Sequence, residues 1–220
     1  MSDAQKLFAE IKKEMADLED RIRHHPFIAG VEAGEAPREA LTIFAGEQYH
    51  IIESDLRSVA QLLSRHPAPL THKFFWGTLQ GEKAALDHIL AFGRALGVDR
   101  EDLSAREPAP EAHAYPAYMA WLGAYGSAGQ AAAAFALNFD AWGANCDRMG
   151  AGLREHYGLS AGDLAFFELF SNPPADLAER AAEIVDQDLA RGVPPKRIKQ
   201  SARLLQGYEL MFWDYMEWSR

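Results

Sequence analysis

Apolar residues recur at spacings of three and four along almost the whole chain, and no period-2 run of β-branched residues of useful length interrupts them. That pattern restricts the chain to an all-α fold, read as a single domain over residues 1–220 with about seven to nine helices. The last of them is the most informative. Ile198, Ala202, Leu205, Glu209, Phe212 and Met216 form one apolar stripe with a single carboxylate in it. A small roll of the helix brings Glu209 to solvent beside Tyr208; if it is buried instead, its charged form is disfavoured and it has to be paired, hydrogen-bonded or held partly protonated. Each of those states suits a general acid or base.

Earlier segments read in the same way. Phe8, Ile11, Met15, Leu18 and Ile22 predict one amphipathic helix with Ser2 or Asp3 as N-cap. His24 to Pro37 is rich in breakers and predicts a compact turn, after which a helix runs to about Arg65. That helix carries Gln48 and Asp55 inside an apolar face with Phe44, Ile51, Ile52, Val59 and Leu62, a pattern that fits a pocket or structural hydrogen bonds between helices. A third helix runs from near Leu70 to Leu96 and stops at Gly97; its small-residue face surrounds one histidine, His88. Arg100 to Pro110 reads as a surface loop, and Pro116 as the start of a short helix ending at Gly126-Ser127. Ser127 then caps a long helix to about Tyr157, on which Asn138, Trp142 and Asn145 share one side. An aromatic between two amides suits a flat polar heterocycle, and equally a core tryptophan. Leu164 to Phe170, Asp176 to Leu189 and Ile198 to Trp218 complete the series.

Composition narrows the function. A formal charge of -10 argues against nucleic-acid binding. The one cysteine, Cys146, rules out a disulfide framework and a thiolate metal cage, and suits a reducing cytoplasm. No apolar run is long enough for a membrane span. A phosphate-cradling glycine loop, a Gly-x-Ser-x-Gly elbow and a Cys-x-x-Cys pair are all missing, as are the Glu-x-x-His pairs of a helical dimetal site.

Four segments together resemble the thiaminase II (TenA) family of the haem-oxygenase-like superfamily: His25-Pro26-Phe27-Ile28 with Gly34 and Pro37, Glu47-Gln48-Tyr49-His50, Pro116-Ala117-Tyr118 with Gly126-Ser127, and Tyr208-Glu209-Leu210-Met211-Phe212-Trp213-Asp214. The resemblance implies a TenA/PqqC-type helical bundle with an internal pocket, in which Glu209 is the catalytic acid/base. Other family positions differ. Gln48 stands where the family has an aspartate, Ile51 where it often has an aromatic, Asn138 where it has the nucleophilic cysteine and Trp142 where it has a tyrosine. Cys146 lies eight residues beyond Asn138, a rotation of about 80° past two full turns, and so faces elsewhere. His156-Tyr157-Gly158-Leu159 with Asp176 and Glu179 is similar to the corresponding stretch of the related PqqC family, with Glu179 in place of a histidine.

These readings converge on a cytoplasmic protein that binds or hydrolyses a small heteroaromatic, such as a thiamine-related pyrimidine. Glu209 is the expected acid/base, and Gln48, Ile51, His88, Asn138, Trp142 and Tyr208 the expected ligand contacts. No cofactor is expected. The alternative is a PqqC-like or metal-dependent oxidase using iron on His88, Glu82, Asp140 and Glu179; a further one is a non-catalytic ligand-binding or regulatory protein. The superfamily resemblance implies a homodimer or homotetramer, and Trp213, Tyr215 and Trp218 are candidates for its interface.

Overall fold

The computed structural model describes residues 1–218, and of Trp218 only the backbone. The described residues form helices and connections with no strand: α1 (Asp3–Glu14), α2 (Ala16–Arg23), α3 (Pro26–Glu32), α4 (Arg38–Arg65), α5 (Pro69–Ala95), α6 (Arg100–Ala105), α7 (Pro110–Tyr125), α8 (Ala128–His156), α9 (Ala165–Ser171), α10 (Leu177–Ala190) and α11 (Pro195–Trp218). The long helices fall where the periodicity places them. Three short pieces raise the number of segments above the sequence expectation.

Each short piece has a local cause. The first amphipathic run bends at Met15, so that α1 packs on α10 while α2 turns onto α11 and α8. Within the expected turn, Pro26 opens α3 at the position where a missing N–H costs nothing, and the His25 ring accepts the Phe27 N–H at 3.3 Å. With Nδ1 accepting, Nε2 carries the proton and donates to Asp214 at 3.2 Å, which ties this motif to α11. In the expected loop, Asp99 and Asp102 make a reciprocal capping box that starts α6, and Leu103 anchors it in the core. Pro116 does not begin a helix. Pro110 does, and Pro116 sits inside α7, its lost hydrogen bond offset by burial of Ala112, Pro116, Met119 and Leu122 on one face.

Helix α8 is the central element. Ser127 and Gln130 form its capping box, and Asp188 of α10 accepts the Gly129 N–H at 2.6 Å, satisfying another of the free amides of the first turn. From Ala128 to Asn138 every residue is buried, as expected of a helix surrounded by others. Further along, a Cβ at Gly152 would stand 2.6 Å from the Val31 carbonyl, so only glycine lets α3 cross here.

Two apolar clusters make up the core. One is aromatic, centred on Phe44, Phe92, Phe166, Phe167, Phe212 and Trp213. The other joins the alanines of α8 to Val59, Phe75, Leu122, Ile198 and Leu205. Trp213 therefore belongs to the interior: it is 0 % exposed and stacks on Phe44 and Trp142 at centroid distances of 6.2 and 5.3 Å. Its ring is unavailable to a subunit interface. Tyr215 is half-buried against the same cluster, and the side chain of Trp218 lies outside the described residues. No described helix is long and apolar enough to cross a membrane.

Candidate functional site

Where the two clusters meet, the side chains fail to close over one another. They leave a cavity of about 530 Å³, mouth included, walled by Ile51, Ile52, Phe135, Phe139, Trp142, Phe170 and Phe212. Apolar walls with a few converging polar groups are the usual make-up of a small-molecule site. The polar groups here are Gln48 and Asp55 from α4, Glu82 from α5, Tyr115 from α7, Asn138 from α8 and Glu209 from α11. Among the described residues no lysine, arginine or histidine lines the cavity.

Glu209 is 3 % exposed and fully partnered. The Trp213 indole N–H, one turn on, donates to one carboxyl oxygen at 3.0 Å. The Asn138 amide donates to the other, and also reaches Gln206 at 3.3 Å. Burial pushes the Glu209 carboxyl up to about 7, and these two donors restrain the rise by favouring the charged form. A carboxyl near 7 exchanges its proton readily at neutral pH.

A second acidic group stands elsewhere on the wall. Asp55 is 2 % and Glu82 7 % exposed, and they sit close enough for each to sense the other's charge. Burial raises Glu82 to about 7. Burial first, and then the Glu82 charge, raises Asp55 well above the ordinary carboxylate range. One oxygen of Asp55, Oδ1, is buried without a hydrogen-bond partner. The Tyr115 phenol is likewise raised, by burial and then by the charges of Asp55, Glu82 and Glu209.

Of the residues singled out in the sequence, Gln48, Ile51, Asn138, Trp142 and Glu209 come together on this cavity. His88 and Tyr208 do not. His88 faces a separate surface hollow beside Arg154 and Glu168, because the small-residue face of α5 that carries it looks outward. Tyr208, adjacent to Glu209 in sequence and so turned about 100° away, packs its ring at a tilt against Tyr118, centroids 5.6 Å apart. The four groups of the alternative iron set also lie apart: Glu82 is in the cavity, Asp140 pairs with Lys12 at the surface, Glu179 is exposed and His88 faces the separate hollow. Among the described residues no three His, Cys, Asp or Glu side chains gather as a metal site, so these residues do not fit an iron centre. Cys146 is buried in the aromatic cluster away from the cavity wall, and burial pushes its thiol well up.

Two residues were not read as site residues from the pattern. Tyr115 precedes the segment that carried the resemblance by one residue. Trp213 was assigned to an interface, although its spacing of four from Glu209 is that of neighbours on one helix face.

An all-α bundle with a buried acid on an internal cavity defines the class: the fold is of the haem-oxygenase-like type. The TENA/THI-4/PQQC family model matches residues 12–219, and the chain belongs to that family. A TenA homologue from Pyrococcus horikoshii superposes with a TM-score of 0.80 at 17 % identity, covering 97 % of this chain and 99 % of that one. A TenA homologue from Pyrococcus furiosus gives a TM-score of 0.75 at 20 % identity, with 96 % and 99 % covered. A domain with a haem-oxygenase-like fold from Shewanella denitrificans gives 0.71 at 19 %, with 96 % and 90 % covered. No curated protein matches the chain.

Proposed function

We propose that this protein binds a small, flat heteroaromatic of the thiamine-related pyrimidine class and hydrolyses it without a covalent sulfur intermediate. The observation that carries this reading is the setting of Glu209. Its carboxyl is held by Asn138 and Trp213 on the wall of an aromatic cavity and raised to about 7. Trp142 and the phenylalanines supply faces on which a ring can lie, and Gln48 supplies an amide for ring nitrogens or amino groups.

In this reading the Glu209 carboxylate takes a proton from a water as its oxygen adds to the ligand carbon, and the acid so formed returns the proton to the departing nitrogen as the C–N bond breaks. Asn138 occupies the place of the family's thiol but cannot replace it, because an amide is neither a nucleophile nor a leaving group of that kind. A structural neighbour from Sulfolobus solfataricus is described as a putative TenA-like thiaminase, which agrees with the substrate class. No cofactor takes part. The protein acts in the cytoplasm as a homodimer or homotetramer, a state that light scattering measures.

The test is incubation with aminopyrimidines and thiamine analogues, following product formation by chromatography and binding by thermal shift. Wild-type protein turns over at least one member, and Glu209→Gln lowers kcat by roughly a hundred-fold or more while binding persists. No turnover and no thermal shift across the panel overturns the proposal.

A further inference from the structure

Glu209 accounts for one polar group of the cavity and leaves the Asp55 and Glu82 carboxyls without a task. Two acids side by side in an apolar wall are costly to the fold, since the pair either keeps protons or buries like charges. Structural acids of this kind are ordinarily answered by an arginine, a lysine or backbone amides. Glu47 on the same helix shows the contrast: it is equally buried, and it faces Arg106 at 3.8 Å and accepts the Ala109 N–H at 3.2 Å. Among the described residues no cation lines the cavity that holds Asp55 and Glu82, and Asp55 Oδ1 accepts nothing; on its other side Glu82 shares an adjoining hollow with Arg180, whose guanidinium pairs with Asp176. Tyr115 of α7 lies close enough for its phenol to sense the charges of both acids, and that of Glu209 of α11 as well.

We infer that the Asp55–Glu82 pair is a second recognition subsite, which takes a positively charged nitrogen of the ligand, an ammonium or amidinium group, while the ring lies against Trp142. The two carboxyls supply acceptors that such a group needs, one of which, Asp55 Oδ1, has no partner in the protein. Glu82 also lines an adjoining cavity with Gly77, Gly81, Phe139, Phe170 and the Asp176-paired Arg180, which offers space to a substituent beyond the nitrogen. The inference rests on the cavity taking a ligand, as in the function proposed above, but it needs no turnover and no part in it for Glu209. Binding a cation also obliges the pair to be charged, so protons leave as the ligand enters.

Paired probes of one shape test it: benzamidine against benzamide, and benzylamine against benzyl alcohol, titrated calorimetrically into wild-type protein at pH 7. The charged member of each pair binds at least about ten-fold more tightly, and the heat of benzamidine binding differs between phosphate and Tris buffers because protons are released. In the Asp55→Asn/Glu82→Gln double variant, checked for native helicity by circular dichroism, the preference falls to within about two-fold and the buffer dependence disappears. Equal affinities in the wild type, no binding of any of the four probes, or a preference that survives the double substitution would each overturn the inference. The first of these would leave hydrolysis of a neutral heteroaromatic by Glu209 standing.

Discussion

The two acidic ends of the cavity are buried to similar depths, and they differ in what surrounds them. At the Glu209 end both carboxyl oxygens have donors, and those donors are fixed in turn: Trp213 by stacking on Phe44 and Trp142, Asn138 by its place on the fully buried stretch of α8. At the Asp55–Glu82 end an oxygen is left without a partner and the nearest charge has the same sign. A satisfied acid is held in one place with a tuned proton affinity, as catalysis requires. The Asp55–Glu82 pair leaves one buried acceptor, Asp55 Oδ1, open to a donor on a ligand, as recognition requires. The cavity thus separates a group that is ready before the ligand arrives from one that is completed by it.

The largest consequence is for stability against pH. Glu82 and Glu209 are raised in the folded protein to about 7 from an unfolded value of 4.5, so the native state holds their protons more tightly. Their contribution is fully present below the unfolded value and is lost as pH rises through about 7, with the unfolded state binding fewer protons across that window. For Glu209 alone the change is about 3 kcal/mol between pH 4.5 and 8. Urea melts across that range will show stability falling with pH, and Glu209→Gln will flatten the fall by about that amount. A variant curve parallel to the wild type would show that the partnered end carries no perturbed proton.

Smaller in size, but opposite in sign to most core substitutions, is the effect of Asp55→Asn. It removes one acid of the unanswered pair while keeping its shape, and at pH 8 it should stabilise the empty protein by about 1–2 kcal/mol. Below about pH 3.8, where Asp55 holds its proton in the folded and the unfolded chain alike, the gain should vanish. A loss of stability at pH 8 would mean that Asp55 is satisfied by a structural partner, and the contrast between the two ends would collapse.

How far this site was readable follows from the physics of each part. The apolar stripe marks Glu209 as the single acid on its face, but periodicity alone leaves it free to reach solvent beside Tyr208, and it is the resemblance carried by Tyr208 to Asp214 that points it into the pocket. Periodicity marks Gln48 and Asp55 in the same way on α4. The partnership of Asp55 with Glu82 did not, since it depends on how α4 and α5 are rotated against each other, which one helix's pattern does not record. His88 failed for the converse reason: a face of small residues reads alike whether it admits a neighbouring helix or solvent. The short helices α3 and α6 are set by caps of one or two residues, and such signals are lost among the breakers around them.

The finest distinction between the ends is the hydrogen bond from Trp213. Trp213→Phe keeps an aromatic ring in the cluster and deletes only the indole donor to Glu209. It should cost about 1 kcal/mol in stability, the net worth of one buried hydrogen bond, with some further loss from the smaller ring. Because that donor favours the charged carboxylate, its removal moves the Glu209 carboxyl further up. Under the hydrolysis proposed above, the pH at which kcat reaches half its maximum moves upward in Trp213→Phe, while discrimination between benzamidine and benzamide stays as in the wild type. Parallel changes in both would mean that the cavity responds as a single acidic cluster, and the division into a prepared end and a completed end would have to be given up.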